Sequence, residues 1–357
     1  MPRPPGRVAV GMSGGLDSSV VVALLVERGY DVIGLTLHMF REGSRCCSIE
    51  DVDRSRRLCD ELGIHHSTVS VIEYFEDTII KPFVDEYLRG RTPSPCVLCN
   101  QFVKFGALQD RALQLGCSHV ATGHYVKVEY RDGRYRLLRA TDQRKDQSYF
   151  LHRLSQDQLS RCLFPLESMT KDDVAAYSLE HDLPVSRTSK RESQDLCFVA
   201  DDGHGAFIDE RRPELKRSGD IVNEAGTALG AHAGIHHFTI GQRKGIGVAA
   251  PTRLYVQAIE PESNQIVVGE RADLFSRTCR VREVHWIAGG PPAASFACGC
   301  RLRYRQPAAR ADIHVEDDAS VRLHMEEPQF AITPGQAAVF YDGDEVLGGG
   351  WISRDTG

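Results

Sequence analysis

The stretch Val8-Ala9-Val10-Gly11-Met12-Ser13-Gly14-Gly15-Leu16-Asp17-Ser18-Ser19 decides the fold. It holds a short apolar run, then glycines and serines, then the head of a second apolar run. Residues 7–10 read as a strand ending at Gly11. Residues 18–28 carry apolar side chains around much of their surface and read as a buried helix closed by Gly29. Between them, glycine lets backbone amides turn inward without a Cβ. Ser13, Ser18 and Ser19 add hydroxyls. The helix start adds unpaired N–H groups and the positive end of its dipole. Together Gly11, Met12, Ser13, Gly14, Gly15, Leu16, Asp17 and Ser18 form an anion site shaped for pyrophosphate. It is not a Walker loop, because G-x-x-x-x-G-K-[ST] is absent and no lysine lies in it.

Outward from this loop, strand and helix alternate. Residues 31–37 read as a second strand, 50–62 as a helix stopped by Gly63, and 67–71 as a strand. Residues 77–89 and 101–115 read as helices, and 119–122 as a strand. This order predicts an α/β fold, a doubly wound parallel sheet with helices on both faces. Its ligand lies beyond the carboxyl ends of the strands, at the switch point. Leu37 and Gly123 are placed there to pack on a base or ribose, and Leu37 reads equally as simple core. Residues 125–138 follow a period of two around Asp132-Gly133, a hairpin signal. Residues 151–182 return to helical patterning, with Thr170 and Asp173 resembling a capping box. Past Gly205 the chain turns β-rich. Strands are expected over 279–286, 297–304, 311–315, 321–325 and 337–341, a spacing that suits small β-barrels. The expected domains are 1–205, a β-rich central domain 206–276, and a C-terminal β-barrel 277–357.

No apolar run in the 357 residues approaches the roughly 18 of a membrane span. The N-terminal residues lead directly into the first strand, so a cytoplasmic protein with no membrane partner is expected. The net charge of −6 argues weakly against nucleic acid, yet a basic face can sit on an acidic body. The basic clusters are 187–191, 211–217, 243–244 and 301–305.

The 11 cysteines are, for a cytosolic chain, more often buried hydrophobes, metal ligands or reactive thiols than disulfides. Two stand out. Cys99 follows Arg91-Thr92-Pro93-Ser94-Pro95-Cys96-Val97-Leu98, where two prolines predict an ordered loop rather than an element. Cys197 lies in Ser193-Gln194-Asp195-Leu196-Cys197-Phe198-Val199, after a basic stretch. A nearby cation favours the reactive thiolate, and Lys104, Lys190 and Arg191 are candidates. Cys46-Cys47 lies in a loop near the anion site. Cys298-Gly299-Cys300 looks like a metal half-site, but its β-rich setting favours packing. Cys59, Cys117, Cys162 and Cys279 read as small hydrophobes.

The loop S-G-G-L-D-S between strand and helix resembles the PP-loop ATP pyrophosphatases. GMSGGLDSSV, RTPSPCVLCN, KFGAL, ATGHY, KDQSYFL, SQDLCF, TIGQRKGIG, RYRQ, TPGQAAVFY and LGGGWI resemble, in order and from about residue 7 to 352, the bacterial tRNA-specific 2-thiouridylases. The resemblance implies ATP and Mg2+ as cofactors, with Asp17 near the magnesium. It implies that uridine 34 of tRNAs for Lys, Glu and Gln is adenylated at O2 and then thiolated at C2. Cys99 is then the nucleophile and Cys197 the persulfide carrier, loaded by a cysteine desulfurase or sulfur-relay protein, and turnover leaves a Cys99–Cys197 disulfide. Ser94, Pro95, Cys96, His124, Lys145, Asp146, Gln147, Arg303, Tyr304 and Gln336 correspond to tRNA contacts, with Arg243-Lys244 as a further basic loop. One departure stands out. Many members carry Asp where this chain has Cys96. Cys96, Cys99 and Cys197 would then offer three thiolates to an iron–sulfur cluster that binds free sulfide. Two other readings stay open at this point: a PP-loop amide ligase of a small metabolite, and a non-catalytic nucleotide- or RNA-binding protein.

Overall fold

Val8, Ala9 and Val10 are wholly buried because β1 (Arg7–Met12) runs through the middle of a parallel sheet. The computed structural model describes residues 6–40, 49–184, 196–199 and 202–354. The chain divides into two compact units. One comprises residues 1–78, 96–198 and 344–346; the other comprises 79–95, 199–343 and 347–357.

In the first unit, β1 pairs in parallel with β2 (Asp31–His38) on one side and β4 (His119–Ala121) on the other. β3 (His65–Ser70) flanks β2, β7 (Cys162–Leu163) flanks β4, and the full strand order is β3-β2-β1-β4-β7. The order reverses between β1 and β4, which makes the crevice at their carboxyl ends the switch point. Helix α1 (Leu16–Glu27) is buried from Ser18 to Leu25, as the all-round apolar pattern predicts. Its valines and leucines pack with Val8, Val10 and Met12 in one core. The hairpin of β5 (Val126–Arg131) and β6 (Arg134–Arg139) turns on Asp132 (φ 53°) and Gly133 (φ 78°), both in the left-handed region that a two-residue turn requires. Thr170 caps the helix Lys171–Glu180: its hydroxyl accepts the Asp173 N–H at 3.1 Å, and Asp173 Oδ2 accepts the Thr170 N–H at 2.7 Å.

Two expectations in this unit are corrected. Within the stretch read as helical, β7 (Cys162–Leu163) is an edge strand parallel to β4; two residues are too few to show a periodicity. The proline-rich stretch is not all loop. Pro95–Leu98 is a helical turn, and Cys99–Ala107 continues it as a π-helix. Proline has no N–H to donate, and the first turn of a helix needs none, so Pro95 opens the helix rather than preventing it.

The second unit contains a four-stranded sheet of β8 (Gly219–Asn223), β9 (Ala228–His232), β10 (Tyr255–Glu260) and β11 (Gln265–Gly269), in the order β10-β11-β8-β9. Beside it in sequence is the helix Gly203–Arg211. An antiparallel barrel follows, built from β12 (Phe275–Trp286), β13 (Ser295–Arg301), β14 (Ala309–Asp317), β15 (Ser320–Phe330), β16 (Ala337–Asp342) and β17 (Glu345–Ser353). β12 pairs with both β15 and β17 and closes it. A Cβ on Gly350 would stand 2.5 Å from the Arg282 carbonyl oxygen, so the glycine run of β17 is what lets the strands meet. Strand β13 ends at Arg301, short of the expected 304. There the Arg301 guanidinium folds onto the carbonyls of Tyr304 and Gln306 and holds a turn.

Candidate nucleotide and thiolation site

At the switch point lies a cavity of about 200 Å3, lined by Gly11, Met12, Ser13, Asp17, Ser18, Leu35, Leu37, Met39, Lys104, Leu108, Thr122, Gly123, His124 and Gln147. Seven residues expected to bind nucleotide and two expected to bind tRNA, His124 and Gln147, thus share one wall. Gly14 sits at φ +67°, where a Cβ would come within 2.6 Å of the Asp51 carbonyl oxygen. Gly15 is the N-cap of α1 and no side chain caps it, which leaves the first-turn amides to an anion. Ser18 Oγ takes the Ser13 N–H at 3.3 Å and donates to the Gly15 carbonyl at 3.1 Å, tying the loop into a ring. Ser19 turns its hydroxyl to the same carbonyl at 3.0 Å and is absent from the cavity lining. The Leu16 side chain packs on the core, so only its backbone can serve a ligand.

Sequence reasoning missed the partners of Asp17. Lys171 Nζ lies 2.7 and 2.8 Å from its two oxygens, and Tyr125 Oη donates to Oδ1 at 2.8 Å. Lys171 stands one residue after the N-cap Thr170, in a capping box recognised for its helix and not for its lysine. A cation already sits on the carboxylate expected near magnesium. Hard oxygen donors from Asp17, Ser13 and Ser18 suit that ion, so the residues fit a magnesium–polyphosphate group. Lys104 places a cation in the cavity wall itself. His124 is buried, with Nδ1 2.8 Å from Thr122 Oγ1. Burial, helped by the Lys104 ammonium, holds its pKa well below the ordinary 6.5, so the ring is neutral. Gln147 and Tyr125 are locked together by paired bonds of 3.0 Å between Gln147 Oε1 and the Tyr125 N–H, and between the Gln147 N–H and the Tyr125 carbonyl.

Cys99 begins the π-helix that also carries Lys104. In π geometry hydrogen bonds run from i to i+5, so the thiol and this cavity-lining lysine are one turn apart. Gln158 supports the widened turn: its amide donates to the carbonyls of Gln101 (2.9 Å) and Phe105 (2.6 Å). Asn100 reaches the Phe150 carbonyl at 3.3 Å. Cys99 is buried and Cys96 half-buried, three residues before it and so on the same helical face. Cys197 is half-buried beside Phe198, whose ring packs edge-on against Phe75 at 6.1 Å.

The other expected tRNA residues divide by environment. Ser94 and Lys145 are half-buried, and Pro95 is buried. Asp146 is buried, accepting the Ser148 N–H (3.1 Å) and hydroxyl (3.0 Å), and so builds the turn that presents Gln147. In the second unit, Gln336 Nε2 donates to the carbonyls of Thr92 and Pro93 at 2.9 and 3.2 Å, fixing the chain just before Ser94. Arg303 is held by the carbonyl of Ala331 (2.7 Å) and the hydroxyl of Thr333 (2.6 Å). Tyr304 lies under the Arg301 guanidinium, 5.8 Å from ring centre. Of the remaining cysteines, Cys298 and Cys300 pack inside the barrel core, and burial pushes the Cys298 thiol up to about 12. Cys59, Cys117, Cys162 and Cys279 are buried as well. Cys46, Cys47, Lys190 and Arg191 lie outside the described residues. No described helix is long and apolar enough to cross a membrane.

Known proteins match this chain along nearly its whole length. Residues 6–201 match the tRNA methyl transferase HUP domain family, 205–270 the tRNA methyl transferase PRC-barrel domain, and 276–352 the aminomethyltransferase beta-barrel domain. The tRNA-specific 2-thiouridylase MnmA of Trichormus variabilis is 46% identical over 352 residues, covering 98% of this chain and 99% of that protein. Those of Acidobacterium capsulatum and Solibacter usitatus are each 44% identical, covering 97% and 99% of this chain and 98% and 100% of theirs. Such agreement, on a chain whose switch-point cavity is built by the PP-loop and shares a helix with Cys99, displaces the amide-ligase alternative. The chain belongs to the family of tRNA-specific 2-thiouridylases.

Proposed function

We propose that this enzyme forms 2-thiouridine at the wobble position of tRNA in two stages, an ATP-dependent adenylation followed by sulfur transfer. What carries the reading is the cavity: PP-loop, lysine-neutralised Asp17 and the Cys99 helix share one wall. Residues 1–205 do the chemistry, and 206–276 and 277–357 serve tRNA. First, O2 of a flipped-out uridine attacks the α-phosphorus of ATP and pyrophosphate leaves, so that a poor leaving oxygen becomes part of AMP. The α1 amides and Lys104 balance the phosphate charge, Lys171 holds the Asp17 carboxylate in place, and Asp17 with Ser13 and Ser18 would hold magnesium, which would supply further positive charge there.

Second, the terminal sulfur of a persulfide on Cys197 attacks C2. AMP leaves with the former O2, and the base is joined to Cys197 through an S–S bond. The Cys99 thiolate then attacks Cys197 Sγ, that bond breaks, and the thiolated base departs. The two cysteines have supplied two electrons and are left as a disulfide, which an external thiol reduces. A cysteine desulfurase or relay protein reloads Cys197. Cys96, His124, Lys145 and Gln147 surround the extruded base, Ser94 and Pro95 are further tRNA contacts, and tRNAs for Lys, Glu and Gln are the substrates.

A second reading rests on Cys96. With Cys96 and Cys99 on one helical face, these two and Cys197 would hold an iron–sulfur cluster that supplies sulfide, and no disulfide would form. Nucleoside analysis of tRNA incubated with enzyme, ATP, Mg2+ and a sulfur source tests the function, and absence of wobble 2-thiouridine overturns it. Iron and sulfide assay after anaerobic purification separates the readings: active, iron-free enzyme removes the cluster, and iron-dependent activity removes the persulfide.

A further inference from the structure

Outside the cavity, another set of side chains converges in the second unit. Asp209, on the helix Gly203–Arg211, meets His236 and His237 of the short 3-10 turn Ile235–His237. Their ligand atoms all lie within 4.8 Å of one another, and among the described residues no other such group is found. His236 Nε2 is 2.8 Å from Asp209 Oδ1, and His237 Nε2 is 3.2 Å from Asp209 Oδ2. Both imidazoles therefore aim the same nitrogen at one carboxylate.

Four details favour an ion over a plain hydrogen-bonded pair. His237 Nε2 is buried and makes no hydrogen bond, although it lies 3.2 Å from Asp209 Oδ2, so it is a ring nitrogen close to a carboxylate with no proton shared between them. Ligands about 2.0–2.1 Å from a tetrahedral ion stand about 3.3 Å apart, close to the spacing seen. His204 bonds to the backbone of His236, keeps its own buried Nε2 without a hydrogen-bond partner, and is stacked on Tyr87 at 4.4 Å. Lys216, 3.5 Å from Asp209 Oδ2 and largely exposed, is free to swing away when a cation binds.

We propose that Asp209, His236 and His237 bind one divalent transition ion of the zinc class, pinning the helix Gly203–Arg211 to the turn before residue 238. Two imidazoles and a carboxylate match zinc-type preference, whereas a magnesium or calcium site would be all oxygen.

The test is cobalt(II) titration of the metal-stripped full-length protein, read by visible absorption. One equivalent should give the d–d bands of a nitrogen- and oxygen-ligated tetrahedral ion, without the near-ultraviolet charge transfer that marks sulfur ligation. H237Q, at a half-exposed position, and D209N should each weaken that binding by at least roughly tenfold, with circular dichroism checking that they fold. Wild-type protein that lacks those bands, or shows only sulfur-ligated cobalt, overturns the proposal, and so does a folded H237Q that binds as wild type does.

Discussion

Gly123→Ala is the sharpest probe of the cavity. Gly123 follows β4 and lines the site. A Cβ there would lie 2.8 Å from Asp17 Cβ, 3.1 Å from Asp17 C and 3.2 Å from the Ser18 N. Two of these are backbone atoms of the PP-loop helix, and carbons rest at about 3.5–4.0 Å. The loop must therefore move by about 0.7 Å, or β4 must. Overpacking of this kind costs about 1–3 kcal/mol, or roughly 2–12 °C in melting temperature for a unit of this size. The catalytic cost is larger, because a misplacement near 1 Å can slow a positioned reaction by about 100-fold. Gly63→Ala is the control. Gly63 has φ +66° and nothing within 4 Å of the added Cβ, so it carries only left-handed strain of about 1–2 kcal/mol. The assay is tRNA-dependent pyrophosphate release at saturating ATP, alongside thermal melting. G123A should be 10- to 100-fold slower (on the order of) and G63A unchanged in rate. Equal rates for G123A and wild type would refute the placement of the α-phosphate against this loop.

Four further outcomes are expected. Lys171→Met leaves the Asp17 carboxylate without its cation; it should lower stability by about 1–3 kcal/mol and slow pyrophosphate release, whereas an unaltered rate would make the pair merely structural. Cys197→Ser and Cys99→Ser should each cut 2-thiouridine formation by roughly 1,000-fold or more while pyrophosphate release persists, as nucleoside analysis and a phosphate assay would reveal. His124 is neutral when folded and takes up a proton once unfolded below its ordinary pKa of 6.5. Its contribution is therefore complete above that pH and lost as pH falls towards the depressed folded pKa, at up to about 1.4 kcal/mol per pH unit; urea unfolding of H124Q should show a flatter acid limb, and an identical limb would count against a neutral His124. Gln158→Leu removes the amide that holds the carbonyls of Gln101 and Phe105, and it should reduce thiolation more than pyrophosphate release; equal losses in both would argue against a specific effect on Cys99.

The residues that announce themselves in sequence do so through local physics. The PP-loop is written in consecutive residues, the hairpin in Asp132-Gly133, and the capping box in Thr170 and Asp173, because each depends on neighbours within a few positions. The Asp17–Lys171 pair joins residues 154 apart, and no local preference encodes it. β7 escaped notice because its two residues are held by pairing with β4 alone. Pro95 misled because one chemical fact, the missing N–H, both breaks a helix interior and suits a helix start. Arg303 and Gln336 stand in the sequence as tRNA contacts implied by resemblance; their bonds to the carbonyls of Ala331 and Thr92 join residues far apart in the chain, and no local pattern announces them.

The π-helix matters more than a secondary-structure detail would suggest. In an α-helix, residues five apart lie about 140° apart around the axis, so Cys99 and Lys104 would face different ways. Widening the turn brings them into the same hydrogen-bonded ring, and Lys104 lines the cavity. A widened turn is costly alone and persists only where tertiary contacts hold it. Here Gln158 does so with a side chain whose Oε1 also accepts the Ser155 N–H at 3.0 Å. One amide thus joins the start of the helix Gln156–Ser160 to the helix that bears the thiol. The placing of Cys99 and the cavity-lining Lys104 one π-turn apart is in this way supported by a glutamine that bonds backbone carbonyls of the same helix, which is why a search for reactive residue types passes over it.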